Sequence, residues 1–371
     1  MAVGLPAKTT YANGDVFSAS DINDTNGTIN LIGQTTNFYA GKNRIINGDF
    51  FVNQRSFTSS TTDAAYGFDR WQMFASGGAT YSAQTFTPGS APVAGYEGQN
   101  FARIVTTGQS GASVYTILNQ SVENVRTLAD KTVTLSFYAK AASGTPKVAV
   151  SLDQVFGSGG SPSSAVKNYG GQITLNTNWV RYSTTITMPN LSGKTIGTTP
   201  NTSSTQIRLW VSAGSDSNAE TGSLGIQSNT FDFWGVQLEA GSTATAFQTA
   251  TGTIQGELAA CQRYGYALNQ LSGTSAGGNG WNFSTTQSVI YLPLPVQMRT
   301  TPTVTYTTPG GVIVYNSTGG QLACTAMSGT THSLTSLYIV TTVASGLVVG
   351  NGTSILVSAG SSQILFASAE L

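Results

Sequence analysis

The sequence predicts an all-β protein: a β-sandwich followed by a smaller C-terminal β-sandwich, with a short N-terminal helical segment and a short linking helix. Three observations carry this expectation. Apolar and polar residues alternate along short runs, the spacing of strands with one buried and one solvated face. Gly, Ser, Thr, Asn and Pro punctuate those runs, and helical periodicity is nearly absent. Charge is scarce: 16 Lys+Arg, 16 Asp+Glu and one His in 371 residues, or 9%, against roughly 25% in an ordinary soluble domain.

Residues 1–40 form the first unit. Ser18 or Ser20 could cap a helix there, with Ile22, Thr25, Ile29 and Ile32 following the a/d spacing of a narrow apolar seam. A helix this short is marginal alone in water, so packing against copies of itself is the reading that uses Ile22, Ile29 and Ile32. A loop wrapped onto its own domain is the alternative.

Residues 41–250 form the large sandwich. Its clearest strands are residues 133–140, 147–152, 180–188, 206–212 and 231–238. In the first, Val133, Leu135, Phe137 and Ala139 share one face, and Thr134, Ser136 and Lys140 the other. In 206–212, Trp210 falls opposite Ile207, Leu209 and Val211, on the outer face or under a covering loop. Residues 251–270 link the two β units. Ile254, Leu258 and Cys261 recur at i, i+4 and i+7, and Gly265 marks a stop. Leu258 and Cys261 are therefore candidates for trimer contacts, with simple packing inside one chain as the alternative.

Residues 271–371 form the last unit. Strands are expected at 288–296, 303–306, 312–315, 322–327, 334–343, 354–357 and 363–367, with turns at Gly-rich intervals, as in a compact sandwich or barrel. Residues 157–164, 193–204 and 272–280 read as surface loops. Beyond Arg299 only Glu370 carries a formal charge. Mixed charges normally keep strand edges apart, so this neutral surface points to an oligomer.

A zero net charge supplies no field for phosphate, which argues against nucleic acid as a partner. The N-terminus lacks a basic flank and apolar core, and no run approaches a membrane span, so a cytoplasmically folded protein without membrane insertion is expected. Cys261 and Cys324 are too few for a disulfide framework.

Catalysis has few candidates. His332 is the lone histidine, no G-x-S-x-G surrounds a serine, and the carboxylates are scattered singly, so no enzyme is expected. No organic cofactor is expected either. The one candidate is a structural Ca²⁺, with Asp49 after Asn47-Gly48 and with Asp232 or Glu239 completing the cage; an Asx turn capped by Asp49 is the alternative. Asp69-Arg70-Trp71 reads as a local ion pair with Trp71 as a core anchor. Sugar binding needs flat aromatic faces beside planar polar groups. Trp281, with Asn279 and Asn282 in a Gly-rich loop, and Tyr315 are the candidate glycan-binding residues.

Four segments together carry a resemblance: residues 43–50 (NRIINGDF), 68–71 (FDRW), 134–141 (TLSFYAKA) and 231–241 (FDFWGVQLEAG). They resemble the jelly-roll module of bacteriophage tail-fibre and other virion structural proteins, itself similar to carbohydrate-binding modules. Residues 257–264 (ELAACQRY) are similar to a segment that follows this module in many phage fibres. Residues 295–299 and 301–304 resemble the small β domain found after it, and 11–32 the short virion-joining segments. One departure concerns the metal: such modules often carry an acid after Gly-x-Phe, where this chain has Phe51. The resemblance implies a virion protein assembled in the host bacterial cytoplasm. It would be a homotrimeric tail fibre, docked to other virion proteins through residues 1–40 and adsorbing to a host-surface glycan. A capsid decoration protein, head fibre or adaptor without a receptor role, and a polysaccharide depolymerase, are the alternatives.

Overall fold

The computed structural model describes residues 41–268, 275–306, 311–316, 320–329, 331–357 and 364–371. Ile22, Ile29 and Ile32 of the expected N-terminal helical segment lie outside the described residues. The large unit opens with β1 (Ser59–Ser60), β2 (Ala65–Tyr66), β3 (Gln72–Ala75), β4 (Ala79–Thr85), β5 (Asn100–Thr106) and β6 (Tyr115–Glu123). It continues through β7 (Thr132–Ala141), β8 (Lys147–Val155), β9 (Tyr169–Thr174), β10 (Val180–Thr187), β11 (Ser204–Ala213) and β12 (Asn229–Ala240).

These strands form two antiparallel sheets, ordered β1-β4-β5-β12-β7-β10 and β2-β3-β6-β11-β8-β9. From β5 onward, the first strand lies beside the last in one sheet and the second beside the next-to-last in the other. That nesting is a jelly roll. The alternation along β7 is what fills its core: Val133, Leu135, Phe137 and Ala139 are all buried against Phe231, Phe233, Leu152 and Ile207 from the other strands. The Asn-rich segment 43–50 is a folding device. Asn43 Oδ1 accepts from Ile45 N and Leu238 N, and Asn47 exchanges bonds with both backbone groups of Val52. Trp71 is fully buried and donates its Nε1–H to the Asn47 carbonyl at 2.8 Å.

Trp210 does lie on the outer face of its sheet, in a satellite cluster with Ile117, Ala149 and Ala213. The segment that closes over it includes the short helix α1 (Asn218–Thr221), and Ser217 and Glu220 line the same pocket as Trp210.

The linking helix is α2 (Ile254–Gln262), capped by Thr253, whose Oγ1 accepts from Gly256 N at 3.0 Å. Its packed face is not the Ile254-Leu258-Cys261 stripe. Glu257 and Cys261 are buried, while Ile254 is 64% and Leu258 37% exposed. The helix is turned this way because the Glu257 carboxylate accepts from Asn47 N and Thr251 N, fastening it to the jelly roll. Cys261 is consequently enclosed by its own chain, which removes it from the set of trimer contacts; Leu258 stays exposed.

The second unit contains β13 (Gly265–Leu268), β14 (Ser275–Asn282), β15 (Gln287–Pro293), β16 (Thr303–Tyr306) and β17 (Val312–Asn316). It ends with β18 (Gln321–Ser328), β19 (Ser336–Val343), β20 (Gly352–Val357) and β21 (Leu365–Ser368). Strands β13-β21-β16 form a small sheet, and β14-β15-β19-β18-β17-β20 close into a barrel, one of the two forms the turn spacing allowed. Closure leaves the barrel without free edges, which compensates for its missing charge. It depends on β14, the segment whose glycines suggested a loop. A Cβ at Gly280 would stand 1.6 Å from the Val289 carbonyl oxygen, so the close strand approach requires glycine there.

One cluster of charges lies where the units meet. Arg70 is buried and pairs with Glu370, 300 residues away, instead of with its neighbour Asp69. Its guanidinium also lies 3.5 Å over the Tyr264 ring and donates to Ser121 O. Arg55 bonds the same Glu370 at 3.2 Å and covers Phe366, while Arg263 and Tyr264 both donate to Glu123. Arg299 donates to the carbonyls of Ala369, Glu370 and Asn201.

Candidate functional site

The outer face of the barrel presents the candidate site. Pairing across the strands sets Tyr338, Tyr291, Asn279, Ser354, Tyr315 and Gln321 in one lateral row. Directly opposed residues of paired strands project to one side, so this row is continuous. The alternation Ile290-Tyr291-Leu292 sends the two aliphatic side chains inward and leaves Tyr291 45% exposed. Two residues beyond Asn279 on the same face, Trp281 is 43% exposed and stacks on Tyr291, with ring centroids 5.8 Å apart and planes inclined at 29°. Tyr338 meets the far side of Tyr291 edge-on at 5.6 Å.

Trp281, Asn279 and Tyr315 thus share one face as candidates for a common ligand. Tyr315 lies three strand spacings from Tyr291, an arc of about 14 Å at roughly 4.8 Å per strand. Asn282 does not join them. Strand alternation places it opposite Trp281, inside the barrel, where it is 1% exposed. There its Oδ1 accepts from Ser288 Oγ at 2.7 Å and its Nδ2 donates to Val348 O at 3.1 Å. Reading the segment as a loop concealed this parity. Tyr291 is the residue the sequence reading missed, although period-2 alternation in 287–293 marked it as outward-facing.

No barrel strand contains Asp, Glu, Lys or Arg. The available chemistry is therefore aromatic faces, amides, hydroxyls and backbone. His332 has a structural role beside this face: Nδ1 accepts from Tyr338 N at 3.3 Å, and Nε2 lies 3.0 Å from Gly329 O. Desolvation holds its pKa below the ordinary value.

Aromatic side chains of the jelly roll offer less. Trp210 is 2% exposed and bonds Ser151 Oγ, Trp179 packs between Phe86 and Phe101, and the Tyr66 hydroxyl donates to Leu371 O.

The expected Ca²⁺ cage does not form as drawn. Both Asp232 oxygens accept from Arg103, at 2.7 and 2.9 Å, and Lys140 stands 3.7 Å away, so cationic side chains occupy the position a metal would need. Glu239 is likewise taken by Gln237, Thr245 and Lys42. Asp49 bonds elsewhere, accepting from the Tyr96 hydroxyl at 2.6 Å. Among the described residues no group of three or more His, Cys, Asp or Glu converges as a metal cage. Asp49 and Glu257 do line one pocket, but both Glu257 oxygens are engaged by Asn47 and Thr251, so the two are not a free acid-base pair.

No protein-family model matches the chain, and no curated protein matches it. Among solved structures it is similar to a CBM4 structure at 17% identity, covering 53% of this chain and 98% of that one, with a TM-score of 0.29. It is similar to the enzymatically active domain of tailspike protein 4 of bacteriophage CBA120 at 12% identity, covering 54% of this chain and 21% of that one, with a TM-score of 0.31. A family 11 carbohydrate-binding module from Clostridium thermocellum, in complex with a β-1,3-1,4-mixed-linked tetrasaccharide, gives 12% identity over 51% of this chain and 99% of that one, with a TM-score of 0.30. At these scores the likeness carries no argument; the jelly roll rests on strand order alone.

Proposed function

We propose that this protein is a non-enzymatic glycan-binding protein that engages its ligand on the outer face of the C-terminal barrel. The observation that carries the proposal is the exposed Trp281–Tyr291 stack, set beside Asn279, Ser354 and Tyr315 on strands without charge. A sugar ring offers one apolar C–H face and a rim of hydroxyls. The first stacks on the indole or phenol ring, and the second exchanges hydrogen bonds with the amide and hydroxyls. A neutral face suits a neutral or weakly charged saccharide.

We further propose that it is a homotrimeric bacteriophage tail fibre, assembled in the host cytoplasm, carried on the virion through residues 1–40, and adsorbing to a host-surface glycan. The sequence resemblance supports it, as does the uncharged barrel, whose surface suits burial between subunits. Three weak sites on one fibre would act together through effective concentration. A capsid decoration or adaptor protein would share the fold and bind no glycan.

A microarray of bacterial surface polysaccharides probed with the full chain tests the reading. Binding without release of new reducing ends supports it. Absence of binding across the array overturns it in favour of a purely structural role, and released reducing ends overturn it in favour of a depolymerase.

A further inference from the structure

The barrel ends in an apolar tip. Residues 283–286 join β14 to β15, and residues 344–351 run from the end of β19 to the start of β20, so both turns lie at one end of the barrel. The other ends of β15 and β19 lead to Arg299 at the junction of the units, because Leu294 N donates to Thr335 O and Met298 N to Leu334 O. The tip therefore points away from the jelly roll. There Val349 is 59%, Val348 51% and Phe283 43% exposed. Leu347, buried in the barrel core, pins the second turn and leaves the two valines projecting. The backbone beneath them is bonded inward. Leu347 N donates to Thr285 O and Gly350 N to Asn282 O, while Asn282 Nδ2 and Asn351 N both donate to Val348 O. Phe283 N and Ser284 N both donate to Gln287 O. Apolar side chains outside a backbone bonded inward form a surface that tolerates the loss of water.

Three features favour lipid over protein as the occupant. Beyond Arg263 the only Asp, Glu, Lys or Arg residues are Arg299 and Glu370, both held at the junction, so no charge is desolvated when the tip enters an apolar phase. The side chains are also graded along the barrel. Phe283, Val348 and Val349 stand at the end, Trp281 lies two residues behind Phe283 with Tyr291 stacked on it, and Asn279 is exposed further back. A bilayer has the same order, acyl chains and then headgroups, and Trp and Tyr collect at the boundary between them. The tip is finally convex, and three projecting side chains supply a fraction of the roughly 800 Å² that each partner gives to a stable protein interface. Fluid lipid moulds itself to such a shape. We propose that the barrel tip enters the surface of a lipid bilayer with uncharged or zwitterionic headgroups, with Phe283, Val348 and Val349 reaching the acyl chains and Trp281 resting at the headgroups.

Trp281 is itself the reporter, since Trp71, Trp210 and Trp234 are buried. Titration of the full chain with phosphatidylcholine vesicles should shift tryptophan emission to the blue, brominated acyl chains should quench it, and the partition should be equal at low and high salt. The Phe283→Ser/Val348→Ser/Val349→Ser variant, with an unchanged melting temperature, should partition at least tenfold more weakly. The vesicles carry no saccharide, so the outcome is independent of glycan binding. Emission unchanged by vesicles, an undiminished shift in the triple variant, or a requirement for anionic lipid would each overturn the proposal. A smaller sedimenting species for the triple variant than for the unaltered protein would overturn it in favour of a contact between copies.

Discussion

At the residue scale, the difference between a ligand-facing and a structural side chain is one position of strand parity. Asn279 and Trp281 look outward; Asn282 looks inward and holds Ser288 and the Val348 carbonyl. Asn282→Ala should therefore destabilise the barrel by about 1–3 kcal/mol, the cost of leaving buried polar groups unpaired, without changing glycan affinity in the folded fraction. Chemical denaturation followed by array binding checks both halves. His332 makes a second prediction. Its folded pKa is lowered from 6.5 by desolvation, and the Tyr338 N–H needs Nδ1 unprotonated. Its stabilising contribution is complete above about pH 6.5 and is lost as the pH falls through the lower folded value. The melting-temperature gap between the protein and His332→Gln should accordingly narrow on acidification from pH 7.5 to 5; a constant gap would contradict the assignment. The sequence held the identities of these residues but not their sides, because a Gly-rich segment has too few side chains to display alternation.

At the scale of elements, strands with clear alternation were legible. Residues 133–140 and 206–212 lie within β7 and β11, and the linking helix was expected from its spacing and stop signal. Two features were hidden. Strand β14 depends on Gly280 for approach to Val289, a reason for glycine that a turn-seeking reading does not see. The face of α2 is set by Glu257, a charged residue whose burial is compensated by N–H groups 210 and 6 residues away and by the Thr251 hydroxyl. Apolar spacing alone favoured the Ile254-Leu258 stripe, which the fold leaves exposed. Arg70 belongs to the same class of long-range contact. Its pair with Glu370 joins the jelly roll to the chain end, so Arg70→Met should cost about 1–3 kcal/mol by removing one of the two guanidinium groups that hold this buried carboxylate, Arg55 remaining. Urea denaturation should show this loss, and a cost near zero would mean that the junction does not depend on the pair.

At the scale of the molecule, charge is not merely sparse but located. Arg55, Arg70, Arg263, Glu123 and Glu370 meet at the junction of the two units, while the barrel strands carry none. The barrel thereby resolves its edge problem by closure and presents an uncharged outer face. If that face and the exposed Ile254 and Leu258 serve assembly as well as binding, sedimentation at micromolar concentration should show a trimer, and Ile254→Glu with Leu258→Glu should dissociate it. A monomer in the unaltered protein would contradict the trimeric fibre and leave glycan binding standing. The glycan-binding face itself is tested most directly by array binding of the full chain beside a Trp281→Ala/Tyr291→Ala double variant with an unchanged melting temperature. Truncation of central aromatic anchors costs about 2 kcal/mol or more, so the variant should lose at least tenfold in signal; equal signals from the two proteins would place the binding face elsewhere.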